Sequence, residues 1–383
     1  MKEAGRLSQD LLQKRLRKQG YNNTERNPTL FRHKSRQVSF ILATDDFYIK
    51  YFIDADLDHL HLTTLQKDYL TKIDLTGQHF IGFHIDYDPT RSHQDREAIL
   101  SMPGSVDSIL KILNVTSTKQ RNSPSLAPQT GFVPGQQFDE PDHSPPATAE
   151  EKKFIQRVVG MLLYHSRGVC YAISTDVGKL SQEQAEPTKR SVKRAHAILQ
   201  YLYWHRTHLI RFTPQKMQLN FHSDASFLSE SKSRSRAGGI FWIGQDIIEN
   251  NISNIDGIIL VDTCVINNVC TSVAHAEYSA CFKNSMTALR YIAFLEDLGY
   301  PQDTVKGYVD NACAVGLANR TCKDKQLKHM NMRLHKIREL VDDKILSVHW
   351  CKSSDNIADF PTKNFTTKIF QEKSRRLNYH PKG

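Results

Sequence analysis

The sequence predicts an α/β (α+β) fold, and its last third shows this most clearly. Three strand candidates come in succession, Leu219 to Ser223, Gly239 to Ile243 and Gly257 to Val261. A long helix over Ala274 to Leu298 follows and stops at Gly299, a residue suited to ending a helix. Strand and helix then alternate: Val305 to Val309, Ala312 to Ala318, Met330 to Val341, Leu346 to Trp350, and a last helix starting near Asp355. Three strands, a helix and then alternation describe a mixed five-stranded sheet with flanking helices. No internal repeat is visible.

The front of the chain is less regular. Leu7, Leu11, Leu12 and Leu16 form an apolar stripe on a helix from about residue 5 to 19, closed by Gly20. Val38 to Leu42 and Phe47 to Phe52 are β-rich runs around Thr44-Asp45-Asp46, a hairpin with two carboxylates at its tip. A helix is expected over Leu57 to Leu70, a strand over Phe80 to Ile85 and a short helix over Val106 to Leu113. Residues 115–150 are rich in Ser, Thr, Pro and Gln and read as a flexible linker. Helical periodicity resumes over 151–212, notably at Phe154 to Leu163 and Val192 to Tyr203.

Length and charge bound the possibilities. A chain of 383 residues can bury more than one core. Its net charge of +10 and pI of about 9.1 favour a polyanionic partner, although an ordinary basic protein has the same sign. Seven cysteines contain no Cys-x-x-Cys pair, and no His/Cys set has zinc-finger spacing. Unpatterned cysteines suggest reduced thiols and an intracellular location, a cytoplasmic particle or the nucleus. Apolar runs such as Gly238 to Gly244 are too short to span a bilayer, so no membrane partner is expected. The N-terminus has no apolar signal region, and the leucine stripe begins almost at Met1. The chain therefore reads as the middle of a larger protein.

Four acidic residues carry the chemistry. Asp224 follows an alternating strand, Glu277 enters the long helix, Asp310 lies where a strand gives way to a helix, and Asp359 begins or enters the terminal helix. Taken singly, each has an ordinary reading: Asp224 or Asp310 as an N-cap, Glu277 as a solvated helix-face residue. Taken together they suit a two-metal nuclease site. Four carboxylates near one point repel, and at least one holds its proton unless a divalent cation compensates. An all-oxygen donor set points to two Mg²⁺ (or Mn²⁺) ions, one to activate a water and one to stabilise the leaving 3′ oxygen of a phosphodiester.

At these residues the chain resembles the ribonuclease H domain of copia-type retrotransposon polyproteins. The matching strings are Ser223-Asp224-Ala225, Arg236-Ala237-Gly238-Gly239, Ser272 to Tyr278, Val309-Asp310-Asn311-Ala312, Lys328 to Arg333, and Asn356 to Lys363. The resemblance implies that Asp224, Glu277, Asp310 and Asp359 are the catalytic metal ligands. One departure is His275, where the family more often has a second acid two residues before the helix glutamate. The first part resembles the rear of the copia-type reverse transcriptase, through Glu3 to Ser8, Asp45-Asp46 and Leu100 to Gly104. Here Ala43-Thr44 precede the paired aspartates in place of the usual aliphatic residue and valine. The implied organisation is a truncated reverse-transcriptase palm and thumb over 1–114, a linker over 115–150 and a helical connection over 151–212. A ribonuclease H-like domain over 213–370 and a tail over 371–383 complete it.

Polymerase chemistry needs a third aspartate on an upstream strand. The acids before Asp45 are Glu3, Asp10 and Glu25, none of them on a strand, and the fingers are missing. Asp45 and Asp46 then read as a vestigial polymerase metal pair in a polyprotein fragment or decayed element. The implied activity is hydrolysis of the RNA strand of RNA–DNA hybrids, with nucleic acid and other polyprotein parts as partners. The rival is an inactive relic or a binding module without catalysis. Lys325, Lys328, Arg333, Lys336 and Arg338 either grip phosphates or form a solvated helix face. His329 and His349 fit product release or, more ordinarily, surface or core positions. Phe241 and Trp242 fit base stacking or, more ordinarily, a core.

Overall fold

The computed structural model describes residues 2–88, 90–116, 118–126, 142–245, 256–322, 331–363, 365 and 367–377. Two compact units result: residues 1–86 with 293–300, and residues 87–292 with 301–383.

The first unit begins with α1 (Lys2–Lys18) and an antiparallel sheet of β1 (Tyr21–Asn23), β2 (Leu30–His33), β3 (Val38–Ala43) and β4 (Asp46–Tyr51), in that order. Strand β3 is a clean half-buried strand, with Val38, Phe40 and Leu42 pointing into the core. Of the leucine stripe on α1, only Leu12 and Leu16 join them, packing with Tyr21, Phe31, Leu60 and Leu65. Leu7 and Leu11 are exposed, because an i, i+4 pair is all the small sheet covers. The turn between β3 and β4 places Thr44 at positive φ and leaves Asp45 and Asp46 exposed, as the hairpin reading requires. Among the described residues no third ligand-type side chain gathers with them. The helix expected over Leu57 to Leu70 is shorter and of two kinds, α2 (Asp54–Asp58) running into a π-helical segment, His59–Leu65. Buried Asp56 anchors this region by accepting from Arg36 Nη1 and from Gln37 N, both at 3.0 Å.

The single strand expected over Phe80 to Ile85 is instead a tight hairpin, β5 (His79–Phe80) and β6 (Phe83–Tyr87). Gly82 at φ +85° and Ile81 at φ +44° make the turn, and both angles are needed for the strands to fold back. The apolar run hid the turn.

The second unit contains β7 (Ala98–Ser101), α3 (Ser105–Ile112), α4 (Ala149–Gly168), α5 (Ser174–Glu183), α6 (Lys189–Trp204) and β8 (Ile210–Phe212), which pairs antiparallel with β7. Helix α4 starts with a reciprocal cap between Thr148 and Glu151. The stretch read as a flexible linker is anchored at both ends. Ser125 Oγ donates to buried Asp176 at 2.7 Å, and Arg121 holds the Ser123 carbonyl at 2.8 Å. At the other end, Ala147 N donates to Pro187 O and Lys189 N to Pro145 O, each at 2.9 Å. Composition hid these contacts because backbone groups make most of them. Residues 127–141 lie outside the described residues.

The five-stranded sheet follows: β9 (Leu219–Glu230), β10 (Arg234–Ile243), β11 (Ile258–Val265), then α7 (Val273–Asp297), β12 (Val305–Val309), α8 (Ala312–Ala318), α9 (Asn331–Asp342), β13 (Leu346–Trp350) and α10 (Thr367–Ser374). Its order is β11-β10-β9-β12-β13. The β9, β10 and β11 ladders are antiparallel, whereas β12 runs parallel to both β9 and β13. Central β9 is buried on both faces from Leu219 to Ser226. Strands β9 and β10 are longer than expected, because their far ends are polar and lack apolar alternation. The helix expected near Asp355 is a 3₁₀ turn, Ile357–Asp359, since Pro361 cannot continue a helix; α10 starts later.

Leu16 and Leu7 should behave differently on truncation. Leu16→Ala should cost about 2–5 kcal/mol of the first unit's stability, and Leu7→Ala no more than about 0.5 kcal/mol. Urea unfolding of the two variants measures both; equal losses would place Leu7 in a core.

Candidate active site

Asp224 sits on central strand β9, opposite Gly238 of β10 in the ladder, and is buried. Glu277 lies one turn into α7, and its side chain is buried. Asp310 directly follows β12, half-exposed, and Trp350 Nε1 donates to its carbonyl at 3.1 Å. Asn311, not Asp310, caps α8, accepting from Ala314 N at 3.0 Å, so the Asp310 carboxylate is not used as a cap. One carboxylate oxygen from each of Asp224, Glu277 and Asp310 lies within 4.8 Å of the other two.

Hydrogen bonds between layers fix this arrangement. Asn356 Nδ2 donates to the Ser223 carbonyl at 3.1 Å, while His222 Nδ1 accepts from Ile357 N at 3.1 Å. These bonds staple the turn carrying Asp359 to the strand carrying Asp224. Asn284 Nδ2 reaches Ser223 Oγ and the Gly238 carbonyl, both at 2.8 Å, tying α7 to β9 and β10. The two glycines of β10 are there for room. A Cβ at Gly239 would overlap Asn284 Oδ1, and one at Gly238 would overlap the Thr362 side chain.

Asp359 stands outside the three-acid group. Lys363 Nζ contacts Asp359 Oδ1 and lies 3.5 Å from Asp224 Oδ1, and Lys373 Nζ lies 3.1 Å from Asp359 Oδ2. Thr362 Oγ1 donates to the other Asp224 oxygen. Sequence reasoning singled out neither Lys363 nor Lys373. The Asp-x-x-x-Lys spacing of Asp359 and Lys363 is the signal that was there to read.

The electrostatics follow from this burial. Desolvation pushes the Asp224 carboxyl up to about 7; Lys363 opposes the shift, and Asp359 and Asp310 add to it. Glu277 is raised well above the ordinary carboxylate range by burial and then by Asp224 and Asp310, with the Ala225 backbone opposing. Glu277 Oε2 is buried without a hydrogen-bond partner. Buried oxygens of like charge, one of them unpartnered, fit a hard divalent cation.

The remaining candidates are disposed differently. Arg333 Nη1 donates to Asn268 Oδ1 at 2.9 Å, and its guanidinium lies over the Phe282 ring. Arg338 is buried and donates to the Leu317 carbonyl at 2.9 Å. Both arginines tie α9 to its neighbours, Arg338 from a buried position and Arg333 from a half-buried one; Lys336 pairs with Glu339 at 3.2 Å. Lys325, Lys328 and His329 lie outside the described residues. His349 Nε2 meets Ser347 Oγ at 2.9 Å. Phe241 and Trp242 are buried and belong to the core. His275, the departure from the family pattern, is buried, with Thr271 N donating to its Nδ1 at 3.2 Å.

The sheet order, with acids on a strand, a helix and a strand end, describes a mixed α/β domain of one five-stranded sheet and flanking helices. In sequence the chain is similar to the Pol polyproteins of Ty1/copia-type transposons. It is 24% identical over 357 residues to the retrovirus-related Pol polyprotein of transposon TNT 1-94 from Nicotiana tabacum, covering 91% of this chain and 25% of that protein. It is 22% identical over 358 residues to the transposon Ty1-JR1 Gag-Pol polyprotein of Saccharomyces cerevisiae, covering 88% of this chain and 19% of that protein. The chain thus spans about a fifth to a quarter of the length of these relatives. Among solved structures, the foamy viral protease-reverse transcriptase in complex with dsDNA aligns at a TM-score of 0.42 and 12% identity, over 82% of this chain and 55% of that one. No protein-family model matches the chain. No helix among the described residues is long and apolar enough to cross a membrane.

The raised Asp224 value sets a pH dependence. The folded state holds a proton that the unfolded chain has already released. The Asp224 contribution to stability in chelator should therefore fall as pH rises from about 4, the ordinary carboxylate value, to about 7 and then level off, with Glu277 adding a fall of the same sign. Asp224→Asn should flatten that slope relative to the parent in thermal melts taken across this range with EDTA; parallel slopes would show that Asp224 is ionised in the folded protein. Lys363→Met should cost about 3 kcal/mol in chelator, because it leaves buried carboxylates uncompensated. Mg²⁺ should narrow the gap to the parent, and a gap unchanged by Mg²⁺ would mean that Lys363 acts only by packing.

Proposed function

We propose that the chain hydrolyses the RNA strand of RNA–DNA hybrids, using Asp224, Glu277 and Asp310 together with Asp359. The observation that carries this reading is the meeting of three carboxylates from a central strand, a helix and a strand end within 4.8 Å. Those residues would hold two Mg²⁺ (or Mn²⁺) ions, which when bound supply an activated water and stabilisation of the leaving 3′ oxygen. Lys363 shields Asp224 and Asp359 from each other until metal arrives, and Lys373 keeps Asp359 beside the group. Asn356, Asn284 and His222 hold the strand and the 3₁₀ turn in register, so the carboxylates are placed before substrate binds. Half-exposed Asp310, the least buried of the three gathered acids, is the member best placed to meet the scissile phosphate. Strand choice rests on the 2′-OH and duplex choice on A-like shape. The net positive charge supplies sequence-independent affinity, with Lys336, Lys325 and Lys328 as the basic candidates left once Arg333 and Arg338 are tied inward. Asp45 and Asp46 have no role in this reaction, and template copying is not expected.

A second reading, a nucleic-acid-binding module without catalysis, draws support from Lys363 and Lys373, which already neutralise part of the acidic group. Cleavage separates the two. Purified protein should cut the RNA strand of a labelled hybrid in Mg²⁺ or Mn²⁺, and Asp310→Asn should lower the rate by about a hundredfold or more while leaving the melting temperature in chelator unchanged or higher. Equal cleavage by Asp310→Asn would remove it from the site, and no cleavage by the parent would favour the binding module.

A further inference from the structure

We propose that His165, Cys170 and His208 form a second metal site, for a borderline-soft divalent cation of which Zn²⁺ is the first candidate, separate from the acidic site. One ligand-type atom from each of the three lies within 4.8 Å of the others, and all three side chains are buried, at 2%, 0% and 6% exposure. They come from three places. His165 occupies the last turn of α4, Cys170 follows just past the helix end, and His208 sits in the loop leading into β8. The spacing His-x-x-x-x-Cys followed by a distant His matches no zinc-finger pattern, so the sequence gives no sign of the cluster.

Three further observations point to a ligand. His165 Nδ1 lies 3.2 Å from Ser105 Oγ, while its Nε2 is buried with no hydrogen-bond partner. A neutral imidazole that donates from one nitrogen and leaves the other bare is the form a metal takes, with the hydrogen bond fixing tautomer and ring direction. The His165 and His208 rings meet edge to face with centroids 5.4 Å apart, which keeps the two imidazoles side by side. The backbone adds rigidity: Val169 N and Cys170 N both donate to the His165 carbonyl at 3.1 Å, which locks the first two donors to one helix end.

Zinc–nitrogen and zinc–sulfur bonds of about 2.0–2.3 Å place donors roughly 3.3–3.8 Å apart around a tetrahedral ion. Closing the present spread of up to 4.8 Å needs a shift of about an ångström, which rotation of the His208 side chain on its loop can supply. Burial pushes the Cys170 thiol up, so the thiolate forms only with the cation: the S–H bond breaks, a metal–sulfur bond forms, and the proton leaves to solvent. Among the described residues the cluster holds three donors, which leaves a fourth position for water. The closed surroundings mean that the ion enters as the chain folds. It would then pin the end of α4 to the start of β8.

The test uses the full chain, refolded from denaturant with one equivalent of Co²⁺ in excess Mg²⁺, so that the acidic site is filled. The expected result is a tetrahedral cobalt spectrum with a thiolate-to-cobalt charge-transfer band, displaced by Zn²⁺. Cys170→Ser should abolish that band, and His208→Ala should weaken Co²⁺ binding at least about tenfold. Ser105→Ala, a mild truncation, should weaken it by about 10–100-fold through loss of the His165 orientation. A parent without the thiolate band, a band retained in Cys170→Ser, or Ser105→Ala and His208→Ala both binding Co²⁺ as tightly as the parent would overturn the site. Circular dichroism of each variant establishes that it has folded, and if Cys170→Ser has not, the parent band and the other two variants decide.

Discussion

The fold of the second unit is organised around one unfavourable requirement, a carboxylate buried at the centre of a sheet. Asp224 loses its hydration on a strand covered on both faces, and an ion in such a place has to be neutralised or matched. Several neighbours serve that need. Thr362 donates to one oxygen and Lys363 approaches the other. The Thr362–Lys363 segment can reach Asp224 because Gly238 leaves room for it, and Asn356 and His222 clamp the turn before it to β9. The same elements deliver Asp359 to the edge of the acidic group. The packing that makes the acids tolerable is thus also the packing that gathers them.

The outer layers extend this logic. Arg236 is fully buried on β10, paired with Glu230 at 2.6 Å and bonded to Thr263 and to Gln182 of α5. Thr263 Oγ1 in turn donates to the Pro361 carbonyl, and Thr175 Oγ1 to that of Phe360. Helix α5 therefore contacts both the sheet and the segment that bears Asp359, so the region preceding the sheet supports the site indirectly. Removing either Arg236 or Glu230 alone would leave the other charge buried without its partner, which is the costly way to break such a pair.

Much of this was legible in the residues. Helix α8 and strands β12 and β13 fall at their expected bounds, because short apolar runs there are bracketed by polar punctuation such as Asn311. The meeting of Asp224, Glu277 and Asp310 was legible because each lies in or beside a recognisable element: a strand, the start of a long helix and a strand end. The hairpin at Ile81-Gly82 was not, since one glycine in an apolar run is an ambiguous signal. Lys363 was hidden for a different reason: a lysine four residues after an aspartate looks like an ordinary helical pair until the sheet brings Asp224 beside it. Arg333 and Arg338 read as solvent-facing bases because charge alone does not reveal a partner such as Asn268 or the Leu317 carbonyl. The His165, Cys170 and His208 cluster exists only in three dimensions.

The two anchors that bracket residues 127–141 bear on how chains of this kind can vary. Ser125 is fixed to Asp176 on one side, and Asp142 to Thr188 on the other. A change at one member of either pair strands its partner, 51 or 46 residues away in sequence, so each pair ties two distant positions to one another.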